Sequence, residues 1–411
     1  MIINKFKNYF FLYLSFLWLF GIFFLYIKHS AQSDSTISEW IINYQGGFTK
    51  RGLIGEICFQ ITQFFNLSLR IVIFLFQSII YSVYILMIYK YLESIKINYL
   101  ILFAIFSPIF LIYPVAEIEV LARKELFVFI GFLLFLYFSS NRYKNNLLVL
   151  YNFFVLPILS LIWEPVIFFF PFFLVVLIIR FKILNKKNIF KILISFLPAI
   201  ILCCFILFNP ISSENYTLME NSLNKIGERC YMSCALLKSK STLYQQFESN
   251  FDKYSFTIFF RYFLIILIGF GPIFLLSSYS KFKDNNNIFF KKFKNLLIPI
   301  LVLLSPVVLL FAMGYDWGRW VNISYTFTVL FYFYLLKNNY IEINLKKIDK
   351  IIFFFKNKFL KNKKTLFILC FIIYAFGWNP KTTLTGDVAS FPGYRIPYKA
   401  MKYLYFNINN N

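Results

Sequence analysis

The residues best suited to chemistry are a few charged and aromatic side chains set among long apolar runs. The densest group is Gly314-Tyr315-Asp316-Trp317-Gly318-Arg319-Trp320. Asp316 is a carboxylate that can take a proton. Arg319 offers a planar fork that grips phosphate or carboxylate at two points. Tyr315, Trp317 and Trp320 offer faces on which sugar rings can stack. Asp316 and Arg319 stand three apart, so they can equally well pair with each other.

Four further places carry the same kinds of group. The stretch from Tyr44 to Glu56 sets four glycines around Lys50 and Arg51. Glycines let a backbone turn sharply and aim N–H groups at one anion, so this turn is a candidate diphosphate site; the plainer reading is contact with lipid headgroups. Glu117, Glu119, Arg123, Lys124 and Glu125 crowd one short turn, which either caps itself through a Glu119–Arg123 pair or binds an anion. Trp163-Glu164-Pro165 places one carboxylate in a connection with almost no length, where burial would suit it to acid–base work. Arg261 lies about five residues below the end of an apolar run, where it snorkels or faces a polar cavity.

The elements that must hold these groups are membrane helices. Of the 411 residues, 60% are hydrophobic and 15% charged. Apolar runs of spanning length recur at 8–27, 70–89, 98–115, 125–140, 146–162, 165–180, 192–208, 256–276, 295–313, 320–336 and 365–378. This predicts an all-α polytopic membrane protein, one membrane domain over 1–411 with about eleven transmembrane helices. The first run is long enough to remain as an anchor. Leu53, Ile54, Ile57, Cys58, Ile61, Phe64 and Phe65, with polar residues opposite, predict one interfacial amphipathic helix within the loop 28–69.

Charge sets the orientation. With the N-terminus inside, the inside segments hold 25 of the 42 basic residues and four of the 18 acidic ones. The positive-inside rule then puts the C-terminus outside. The outer segments include 209–255, with Cys230 and Cys234 free to pair or not, and a tail over 379–411. The segment 337–364, with nine lysines, reads as a basic piece lying on cytoplasmic lipid. Seven of the nine arginines fall outward, so something anionic is handled there. The net charge of +24 follows from this sorting and does not call for nucleic acid. His29 is the only histidine and there is no Cys-x-x-Cys, which argues against catalytic zinc, Ser-His-Asp chemistry or any metal or cofactor.

Fork-type cations, sparse carboxylates, indoles and an interfacial helix suit sugar transfer from a polyprenyl-linked donor. The layout resembles the bacterial O-antigen and capsule polymerases, about 400 residues with ten to twelve spans, and the wider GT-C membrane glycosyltransferases. The latter carry an acidic first outer loop with an interfacial helix; Asp34 and Glu39 stand in the matching positions. The resemblance implies an inner-membrane enzyme of surface polysaccharide synthesis. Its substrate would be a polyprenyl-(di)phosphate-linked glycan, and its partners membrane lipids and other polysaccharide-assembly proteins. On that reading Glu39, Glu119, Glu164 and Asp316 are candidate catalytic carboxylates. Lys50, Arg51, Arg123, Lys124, Arg261 and Arg319 would hold diphosphate, and Tyr315, Trp163, Trp317 and Trp320 the sugar. The Arg-x10-Gly pattern of some O-antigen polymerases does not occur. The alternative is a lipid-linked oligosaccharide flippase or other transporter.

Overall fold

The computed structural model describes residues 2–30, 35–140, 143–182, 185–238, 243–283, 293–344, 363–386 and 388–409. Asp34 and most of the basic segment 337–364 lie outside them. The described chain is helical almost throughout. In order come α1 (Ile2–Ser30), α2 (Ser35–Trp40), α3 (Gly52–Phe65), α4 (Leu69–Leu92), α5 (Tyr99–Ile105), α6 (Tyr113–Ala116), α7 (Glu125–Phe138) and α8 (Asn145–Ile162). A 3-10 turn, Glu164–Phe169, leads into α9 (Phe170–Phe181); α10 (Lys186–Phe208), α11 (Ser213–Lys225), α12 (Leu243–Phe251) and α13 (Phe256–Ser278) follow. The remainder is α14 (Leu297–Leu304), α15 (Val308–Met313), α16 (Trp317–Lys337), α17 (Lys363–Phe376) and α18 (Pro392–Asn409). Two small two-stranded pairings join Ser280–Phe282 to Ile341–Ile343 and Trp378–Asn379 to Ala389–Ser390.

Among the described residues, six helical stretches are long and apolar enough to cross a membrane: Phe6–Ser30, Leu69–Leu92, Asn145–Ile162, Glu164–Phe181, Lys186–Phe208 and Phe256–Ser278. The chain groups into two compact units. The first comprises Met1–Tyr13, Tyr91–Glu117 and Ser249–Asn411; the second comprises Leu14–Lys90 and Ile118–Glu248.

In the second unit α8 and α10 pack along their lengths. The exposed stripe of α10 is Phe190, Leu193, Leu197, Ile201, Phe205 and Phe208, whereas its buried stripe includes the small residues Ser195, Ala199 and Cys203. Large apolar groups outside and small groups inside suit a helix whose solvent is hydrocarbon. The loop after α10 is partly helical: Ser212 caps α11 by accepting from the Asn215 N–H, and Cys230 and Cys234 form a disulfide. Arg70, at the start of α4, clasps Glu228 beside that disulfide with both oxygens engaged.

In the first unit the expected unbroken span over 98–115 is in fact interrupted. α5 stops at Ile105, residues 106–112 are irregular, and α6 begins at Tyr113. Pro108 cannot donate to the helical ladder and restricts Ser107. The unwound carbonyls remain buried and must find donors. Asn322 on α16 donates to Ile109 O at 2.8 Å and Phe110 O at 3.0 Å, while Ser107 Oγ donates to Gly269 O at 3.0 Å. Asn322→Leu would leave both carbonyls buried without that donor, at about 1–3 kcal/mol. The expected result is a lower Tm in detergent; an unchanged Tm would show that the break is held by other means.

α16 is buried from Trp317 to Leu335 on every side. Its polar residues are bonded: Tyr325 donates to Ala104 O, Ser324 to Trp320 O, Thr326 to Asn322 O and Thr328 to Ser324 O.

Candidate functional site

Each unit gathers one set of the singled-out residues. In the second unit the set forms around α2 and the start of α3. Glu39 is fully buried on α2. Its neighbour Trp40 donates to Ala122 O at 3.1 Å, which pins the turn carrying Arg123 and Lys124. Glu39 meets Arg51 at 2.9 Å and Arg123 at 3.2 Å. Arg51 Nε and Nη2 each approach one oxygen of Glu164 at 2.8 Å. Lys124, also fully buried, donates to the Arg51 carbonyl.

Arg51 reaches both carboxylates from a left-handed backbone, φ 62°, immediately before α3. That conformation disfavours a side chain with a Cβ, and the two carboxylates offset it. Burial works against the guanidinium charge, yet Glu164 and Glu39 outweigh it and hold the group above its ordinary value. Glu125 adds to the same field. Lys50 stands exposed at the rim within electrostatic reach of Glu164.

Several expectations change here. The glycines were read as a phosphate-binding nest, but three of the four stand where chain meets chain. A Cβ on Gly55 would lie 1.8 Å from Ile42 O, one on Gly46 1.8 Å from Asn215 O, and one on Gly52 2.2 Å from the Tyr44 ring. The Tyr44 N–H in the same stretch is taken by Glu56 at 2.8 Å. Arg123 turns to Glu39 rather than to Glu119, which is left exposed, because 118–122 forms turns instead of a helix. Trp163 is completely buried with its ring against Phe169, so it has no open face for a sugar.

In the first unit Asp316 and Arg319 pair at 3.0 Å; the Asp316 side chain is 29% exposed and that of Arg319 only 3%. Arg319 also lies over Trp320. Trp317 is walled in by Tyr254, Phe259, Tyr262 and Phe311, and its Nε1 donates to Phe311 O. Its aromatic content therefore packs the turn instead of presenting a platform. Tyr315 donates to Ser249 O and lies under Lys253.

The tail, to which sequence reading gave no role, is laid against this turn. Gly318 N donates to Thr382 O, Leu384 N to Tyr315 O, and Arg261 Nη1 to Gly386 O at 2.8 Å. A Cβ on Gly318 would sit 2.0 Å from Lys381 O. Arg261 thus holds backbone here. Glu117 is enclosed by Arg395 at 2.9 Å, Asn379 at 3.0 Å and Lys381 at 3.4 Å. Sequence reading missed Asn379, Lys381 and Arg395. The one available signal was an arginine in a segment without acidic residues after Asp387.

Lys124 makes the second-unit cluster sensitive to pH. Burial pushes its amine down to about 8, against the pull of Glu39. Since this lies below the ordinary 10.5, the unfolded chain holds the extra proton between about pH 8 and 10.5. Stability therefore rises with pH across that window and is lowest below it. Tm in detergent should climb from about pH 7.5 to about pH 10, and Lys124→Met should remove most of the slope. An equal slope in the variant would place its origin elsewhere.

Among the described residues no group of three His, Cys, Asp or Glu side chains could hold a metal. No protein-family model matches the chain, and no curated protein or solved structure matches it either.

Proposed function

We propose that the chain is an inner-membrane glycosyltransferase or polysaccharide polymerase. It crosses the bilayer about eleven times, with its N-terminus inside and its C-terminus outside, and uses a polyprenyl-(di)phosphate-linked glycan on the periplasmic face. The observation that carries this reading is the gathering of Lys50, Arg51, Arg123 and Lys124 around Glu39, Glu125 and Glu164, with Lys50 and the Arg51 fork reaching the surface. Ammonium and fork-type cations held open at a surface are ready partners for an anion.

A diphosphate ester is such an anion, and its negative charge grows as the sugar leaves. Exposed Lys50 and the partly open Arg51 fork make first contact; Arg123 and Lys124 lie deeper. α3 supports a lipid-tailed donor, since Ile57, Phe64 and Phe65 project from it into the surroundings. The Cys230–Cys234 bond supports the outward placement of its loop, because disulfides persist in oxidising compartments. The acceptor hydroxyl proton goes to Glu164, the carboxylate of this cluster with access, its side chain 21% exposed.

The test is glycan extension by protein reconstituted in nanodiscs with a polyprenyl-diphosphate-linked oligosaccharide. Glu164→Gln should abolish extension, and Lys50→Gln should cut it roughly ten-fold, while the protein still inserts and folds. Normal product length in both variants would sink the reading. The unwound backbone at 106–112 favours the rival reading, a flippase or other transporter. Such a protein would move the lipid-linked glycan between leaflets without releasing polyprenyl diphosphate.

A further inference from the structure

We infer that α18 is a second membrane-surface helix, docked on the headgroup layer of anionic phospholipid. One face carries Tyr394, Tyr398, Met401 and Tyr405, spaced four, three and four apart and exposed at 67%, 46%, 60% and 66%. Leu404 and the preceding Phe391 widen the exposed apolar surface. The opposite face buries Ile396 and Ala400, and Arg395 reaches from the helix to Glu117 and the Ala116 carbonyl. The helix is thus fastened to its own unit along one side while a row of large rings is turned outward.

Water disfavours so much contiguous apolar surface. The hydrocarbon interior disfavours four phenol hydroxyls and two lysines on one helix. The headgroup layer accommodates both, and tyrosine concentrates there. Charge narrows the choice of lipid. From Val388 to the chain end there is no acidic residue, while Arg395, Lys399 and Lys402 are basic. Lys402 is exposed and Lys399 half-buried. Basic residues near a bilayer surface add attraction only when the lipid is anionic.

The experiment uses the full chain in nanodiscs, with the exposed Cys204 and Cys370 changed to serine. Met401→Cys carries an environment-sensitive fluorophore, and Tyr405→Cys serves as a second reporter. In phosphatidylglycerol-rich discs the emission should shift to the blue. Lipids brominated near the headgroup should quench it, and aqueous iodide should quench several-fold less than at a Glu214→Cys control on the polar helix α11, where Glu214 is exposed. Lys399→Gln with Lys402→Gln should weaken lipid quenching in anionic discs and leave it unchanged in purely zwitterionic ones. Iodide quenching equal to the control at both reporters would overturn the proposal. So would disulfide cross-linking of Met401→Cys between two copies without lipid quenching, which would place a second chain on the stripe.

Discussion

Glu39→Gln is expected to destabilise the protein by about 3–5 kcal/mol, the range for removing one partner of a buried ion pair. The carboxylate is fully buried and is shared by Arg51 and Arg123. Glutamine keeps the shape and removes the charge that the two guanidiniums share. The loss should appear as a Tm drop of the detergent-purified protein and as reduced accumulation in membranes. Glu39→Asp, which retains the charge on a shorter stem, should recover part of it. A glutamine variant as stable as the parent would mean that this network contributes nothing to folding.

Gly55→Ala should cost at least the ~3 kcal/mol at the upper end of overpacking penalties. The added Cβ would fall 1.8 Å from Ile42 O and 2.6 Å from Trp40 O. Both are backbone atoms and cannot rotate aside, so α3 must back away from the segment that follows α2. That shift would also move Arg51, four residues earlier, off Glu39 and Glu164. Gly271→Ala is the control, because nothing lies within 4 Å of its added Cβ. A helical glycine in open space should gain about 0.5–1 kcal/mol on becoming alanine. Equal Tm values for the two variants would contradict the close approach at Gly55.

The fold was legible where hydropathy decides it. The apolar run read at 192–208 lies within α10, that at 256–276 within α13, and that at 320–336 within α16. Hydropathy is blind to backbone pairing, so it ran straight through Pro108. The interruption depends on a donor supplied by Asn322, 213 residues away from Ile109. The cluster was legible as residue types. Arg51, Arg123, Lys124 and Glu164 stand out in an apolar chain because such groups need a reason to be there. Which cation meets which carboxylate was not legible. Arg51 and Glu164 are 113 residues apart, and the local pattern favoured a Glu119–Arg123 pair that the turn does not allow. The glycines misled for a related reason. Flexibility toward a ligand and room for a neighbouring strand of chain demand the same residue.

The enclosure of α16 has a consequence for how the protein is made. Its asparagine, serine, threonines and tyrosines keep it outside the set of stretches apolar enough to cross a membrane. Its serine and threonines bond within the helix, but the Tyr325 hydroxyl and the Asn322 amide are satisfied by carbonyls elsewhere in its unit, Ala104, Ile109 and Phe110. Burial of α16 is therefore a cooperative step, in which Tyr325 and Asn322 take up partners on segments synthesised more than 200 residues earlier.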